Sequence, residues 1–167
     1  MTTQISTDIA RDFDRLRKRF ADNDFLNNRG LANEVGFYVY PYDASRELEV
    51  RQRTAELVAE SQADNSPYRL VERNLWQTLL AICEDKRILG KITALEEKRG
   101  SDALLRQLQK IATPEAYARA MDYSPHETGR DILIITGVGQ VYPFVRAHSV
   151  LENAQSLFED IPVVLMY

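Results

Sequence analysis

The residues able to do chemistry gather in one stretch of this chain, Asp131 to Ala154, which reads DILIITGVGQVYPFVRAHSVLENA. Aliphatic residues run into Thr136-Gly137-Val138-Gly139, and Arg146 and His148 follow. A glycine turn after a strand lets backbone N–H groups approach phosphate oxygens. Arg146 offers a fork of donors to an anion, and His148 offers a base or ligand near neutral pH. The chemistry in question is nucleotide or anion binding. The competing meaning of Gly137 and Gly139 is a tight turn that needs positive φ at one or both of them.

The phosphate templates fail position by position. A Walker A loop requires Gly, four residues, then Gly-Lys-Ser/Thr. Gly90-Lys91 is the only Gly-Lys pair, with Asp85 in place of the first glycine and Ile92 in place of the hydroxyl. The dinucleotide fingerprint Gly-x-Gly-x-x-Gly ends at Tyr142, too bulky for close helix–strand packing. What remains is a lone Gly-x-Gly, for which the plain turn is the stronger reading. Cations at the start of a helix oppose its dipole, so Arg146 and His148 there call for an anionic partner. Against that, a single histidine with no nearby ligand is more often a buried hydrogen-bonding residue.

The other reactive residues read as structural. His126 falls in a polar turn, and Cys83 on the inward face of a helix. One cysteine and two distant histidines make no zinc pattern. No Gly-x-Ser-x-Gly elbow is present. Asp131 opens its strand, at the end opposite the glycine turn. Arg11, Arg15 and Lys18 recur at spacings of four and three, with Arg17 and Arg19 beside them. That face could meet nucleic acid or an acidic protein surface. Interspersed Asp12, Asp14 and Asp22 make a solvated face the simpler reading. No catalytic residue, metal site or cofactor is expected.

The elements that must position these residues follow from periodicity. Ile9, Phe13, Leu16 and Phe20 form one stripe of a helix from Ile5 to about Phe25, broken by Gly30 and Asn33. Gly36-Phe-Tyr-Val-Tyr40 reads as a strand ending at Pro41. Asp43 caps a helix from about Ala44 to Ser61, with Leu48, Leu57 and Val58 inward. After the Asn65-Ser66-Pro67 turn comes a short strand, Tyr68 to Arg73. Three helical stripes follow, through Leu75–Cys83, Ile88–Leu95 and Leu104–Ile111, with Ser101 as N-cap of the third. Thr113-Pro114-Glu115 starts another helix, closed by Ser124-Pro125. Ile132 to Ile135 and Val163 to Tyr167 are apolar at nearly every position, the mark of strands buried on both faces of a parallel sheet. The helix between them is expected from about Pro143 to Glu159.

The expected class is therefore α/β, one domain over residues 1–167, with a mostly parallel sheet flanked by helices. It is Rossmann-like or P-loop-like without a Walker A motif. The last apparent strand ends at Tyr167, where a covering segment is expected to follow. Composition agrees with a globular protein: 44% hydrophobic and 28% charged residues. A net charge of −4 disfavours sequence-independent nucleic-acid binding through bulk charge. The single cysteine fits a reducing compartment, and neither a signal peptide nor a membrane span is legible. A cytoplasmic protein is expected.

GRDILIITGVGQVYPFVRAHSVLENAQ followed by IPVVLMY resembles the BrxB family, a core component of bacterial BREX phage-defence systems. FYVYPYDASRELEVRQR and the segment from Leu70 to about Gln109 share the resemblance. It implies a subunit of a complex that restricts phage and supports methylation of host DNA. It also implies partners: PglZ above all, then BrxC and PglX. It implies a further C-terminal segment after the last strand, and it carries no catalytic residues.

Overall fold

The computed structural model describes residues 8–28 and 36–167. Gly30 and Asn33, expected to break the first helix, lie outside the described residues. Two compact units make up the chain: Met1–Glu72 with Pro125–Thr136 and Phe158–Tyr167, and Arg73–Ser124 with Gly137–Leu157.

The first unit is built on strands β1 (Phe37–Tyr40), β2 (Arg69–Asn74, whose last two residues pass into the second unit), β3 (Asp131–Thr136) and β4 (Val163–Met166). They form one sheet in the order β1-β4-β3-β2. β4 lies parallel to both neighbours, with Phe37 and Leu133 each level with Val163. The two strands that are apolar throughout, β3 and β4, take the central places, and every residue in them is buried. That is the expected α/β class with a parallel sheet flanked by helices.

Helices α1 (Ile9–Phe20), α2 (Asn23–Leu26) and α3 (Glu47–Ser61) supply the first unit's core. Ile9, Phe13 and Phe20 of α1 pack with Leu57 of α3 and with Leu70, Ile132, Ile134, Val164 and Met166 of the sheet. Full burial of such a side chain contributes about 2 kcal/mol. The single helix expected to run to Phe25 is two. Asp22 interrupts it because its carboxylate accepts the N–H groups of Asp24 and Phe25, starting a new helix there. Asp43 does cap, accepting from Ser45 N–H at 2.8 Å, but it caps a 3-10 turn, Ala44–Arg46, that precedes α3. Leu48 and Leu57 both lie in α3, about two and a half turns apart, so they point to opposite sides. The inward stripe becomes Val50, Thr54, Leu57 and Ser61, and Leu48, expected inward, is 79% exposed.

At the amino end of β3, Asp131 is fully buried. Its two carboxylate oxygens accept from Arg69 Nε and Nη2, each at 2.7 Å, and one also accepts from Glu127 N–H at 3.0 Å. A buried carboxylate persists when it is paired and hydrogen-bonded in this way.

The second unit is helical: α4 (Leu75–Asp85), α5 (Ile92–Arg99), α6 (Ser101–Ile111), α7 (Pro114–Met121), α8 (Val138–Val141) and α9 (Ala147–Ala154). α4 packs against α6, α7 and α8, and α7 against α9. Leu75, Leu79, Ile82, Leu104, Leu108, Tyr117, Met121, Val141 and Val150 are buried. Thr113 caps α7 as expected, accepting from Ala116 N–H at 3.2 Å, with Pro114 next. Ser101 does not cap α6. Gly100 holds that place at φ 80°, and the Ser101 hydroxyl donates to Glu96 instead, at 2.6 Å. The helix expected from Pro143 to Glu159 is shorter, because Gly137–Val141 form their own turn and helix and Pro143 lacks an N–H. α9 begins only after Arg146.

Candidate functional site

Gly137 is the pivot of the turn after β3. Its φ of 73° is in the left-handed region, which a side chain strains to adopt. A Cβ there would lie 2.7 Å from Asn74 Oδ1 and 2.8 Å from Asn74 Nδ2. The space beside the turn is therefore filled by the chain's own amide. That amide is itself employed: Asn74 Oδ1 accepts from Gln77 N–H at 3.1 Å and caps α4. Gly139 needs none of this freedom. It lies in α8, and a Cβ on it would meet nothing within 4 Å. One of the two glycines thus has the positive φ of a tight turn.

Just before the turn, the Thr136 hydroxyl donates to Glu72 Oε1 at 2.7 Å. That hydroxyl is committed to a carboxylate.

Arg146 and His148 sit apart from the glycine turn in bonding. Arg146 is the N-cap residue of α9, exposed, and provides no side-chain cap. His148 is exposed, and its Nε2 lies 3.3 Å from Ser149 Oγ. Neither side chain is hydrogen-bonded to Gly137 or Gly139 in the described residues. His148 is thus not the buried core histidine that its surroundings suggested. His126, placed in a polar turn, is the buried one: its side chain is 3% exposed, its Nδ1 lies 2.7 Å from Asp160 Oδ1, and its ring stacks on Phe158 at 5.2 Å. The distant Asp160 partner leaves no local signal in the sequence.

The remaining candidates resolve as follows. Cys83 is 1% exposed, as expected of a core residue, and burial pushes its thiol pKa up, away from the nucleophilic thiolate. In the first helix, Arg17 Nε and Nη2 bind Glu60 at 2.9 and 3.1 Å, and Arg15 lies 3.4 Å from Asp12. Arg11 and Lys18 are exposed. Among the described residues no group of three or more His, Cys, Asp or Glu could hold a metal ion, and no helix is long and apolar enough to cross a membrane.

Two cavities in the second unit were not legible as sites. One, of about 390 Å³, is lined by Gln109, Pro114, Tyr142, Arg146 and Ser149. The other, of about 470 Å³, is an apolar groove with Trp76, Leu80, Ile92, Leu105 and Phe144 in its walls. A partial signal was Ile92, an apolar lining residue on a helix that buries none of its residues.

The class these features define is an open α/β protein whose carboxyl-edge turn is packed against its own side chains and lacks the lysine and free hydroxyl of a triphosphate site. Comparison with known proteins gives the particular family. The family model described as BREX protein BrxB matches residues 71–167, more than half of the chain. A protein named BREX protein BrxB from Bacillus cereus (strain H3081.97) is 31% identical over 156 residues, covering 92% of this chain and 81% of the relative. Another of the same name, from Escherichia coli O9:H4 (strain HS), is 25% identical over 153 residues, covering 92% of this chain and 75% of the relative. No solved structure matches. The chain belongs to the BrxB family of BREX proteins, which gives it a role in phage defence.

Proposed function

We propose that this chain acts as a non-catalytic assembly subunit of a BREX complex, with PglZ as its principal partner and BrxC and PglX as further members of the assembly. The observation that carries the reading is the turn after β3. Ligands of open α/β proteins usually bind at the carboxyl ends of the strands. In this chain Asn74 packs on Gly137 there, and Thr136 holds Glu72. A fold of this type without its usual chemistry is suited to presenting surfaces.

The test is affinity purification of the tagged chain from cells carrying the whole defence cluster, washed at physiological salt. PglZ at stoichiometric yield is the expected result. Retention of no BREX protein overturns the reading.

A second reading rests on the 390 Å³ cavity that Arg146 and Ser149 line at the start of α9, a place able to receive an anion. ATP, ADP, a dinucleotide or inorganic phosphate at millimolar concentration would then raise the melting temperature, and Arg146→Ala would remove the shift. The assembly reading expects no shift from any of them.

A further inference from the structure

The groove in the second unit lies where α4, α5 and α6 meet. Trp76 and Leu80 come from α4, Ile92 from α5 and Leu105 from α6. Phe144, its ring centroid 5.9 Å from that of Trp76, closes one end. The walls are aliphatic and aromatic, and the charged side chains lining it, Glu96 and Asp102, are both carboxylates; no cation lines it. Ser101 also lines it, and its hydroxyl is spent on Glu96.

α5 adds a second observation. It is eight residues long and buries none of them, and its apolar Ile92 and Leu95 are only half-buried. A helix that short gains little from propensity and needs packing to hold it. Ile92, which lines the groove, is left with surface that an occupant would cover.

The lining discriminates among occupants. Small-molecule pockets direct a few polar groups inward to orient the ligand. Here one polar pair is satisfied internally and the remaining feature is negative charge. An amphipathic helix fits both properties: apolar side chains spaced i, i+3 or i+4, and i+7 enter such a groove, while flanking Lys or Arg meet the carboxylates. We propose that the α4–α6 groove docks an amphipathic helix with basic flanks from a partner protein. This rests on the assembly reading and names the surface that reading leaves open.

The experiment uses the complex purified from cells carrying the whole defence cluster. Leu105→p-benzoylphenylalanine places a photoreactive group on the groove wall, and Arg11→p-benzoylphenylalanine serves as a control on the first unit. The adduct at position 105 is expected to map to a partner segment with helical apolar spacing and flanking Lys or Arg. Glu96→Lys combined with Asp102→Lys is expected to lower partner retention about tenfold while circular dichroism stays unchanged. Should that double variant fail to fold, Asp102→Lys alone gives the readout, since Asp102 is exposed. Trp76 is the chain's one tryptophan, so its emission should shift to the blue on binding the synthetic segment identified by the adduct.

Full partner retention by the charge-reversed chain, with no adduct at position 105, overturns the groove and leaves the assembly reading standing. An adduct to a second copy of this chain, or to a lipid or other small molecule, also overturns it. A wild-type chain that retains no BREX protein removes both.

Discussion

At Gly137 the backbone conformation and the neighbouring side chain both exclude a Cβ, so the two glycines of the turn should respond differently to the same change. Gly137→Ala forces a side chain into φ 73° and onto Asn74, for an expected loss of about 2 kcal/mol in urea unfolding. Gly139→Ala lies in a helix with open space around it, so it should be neutral or stabilising by up to about 1 kcal/mol. Equal losses at both would mean that the turn serves something other than chain geometry. At the opposite end of β3, Arg69→Ala removes the guanidinium paired with the fully buried Asp131 carboxylate and should cost about 3 kcal/mol. A loss below about 1 kcal/mol would show that the backbone N–H of Glu127 satisfies Asp131 without the guanidinium. The sequence singled out Asp131 and placed it correctly, but Arg69, 62 residues away, is a partner no local pattern could name.

At the scale of elements, caps and two-sided apolar runs were the readable signals. Thr113-Pro114 started its helix and Ile132–Ile135 became a central strand, because each of these signals acts within a few residues. Thr113→Ala should therefore lower stability by about 1 kcal/mol in thermal or urea unfolding. Ser101→Ala should cost clearly less, because Gly100 rather than Ser101 occupies the cap of α6. A larger loss at Ser101 would refute that assignment. Leu48 was misplaced because it and Leu57 lie about two and a half turns apart in the same helix and so on opposite faces, and the sequence pattern there is dominated by charge. The helix expected from about Pro143 to Glu159 was drawn too long because Val150, Ala154, Leu157 and Phe158 share a helical spacing, whereas the chain turns at 142–144 and again after Ala154.

At the scale of the whole molecule, the half-buried phenols of Tyr40 and Tyr42 and the buried one of Tyr117 set an alkaline limit. Burial pushes Tyr40 up to about 12, with Asp12 adding to it, and raises Tyr42 and Tyr117 further. A phenol ionises near 10 in the unfolded chain. A raised folded pKa contributes stability that is fully present below that pH and lost as pH climbs through the folded value. Titrating the eight tyrosines by absorbance at 295 nm should give more than one step. A later step, from about pH 12, should coincide with loss of circular dichroism. One step near pH 10 with the fold intact would contradict the burial of these rings. By itself the sequence determined the α/β class, the central strands, the starts of α4 and α7, the failure of both phosphate templates and the family resemblance, since all of these rest on short-range patterns. Only the tertiary structure decided which side chains fill the glycine turn, that His126 rather than His148 is buried, that Arg69 holds Asp131, and that α4–α6 leave a carboxylate-rimmed groove. Those depend on contacts between residues far apart in the chain, whose partners are chosen by packing and by the need to satisfy buried charge.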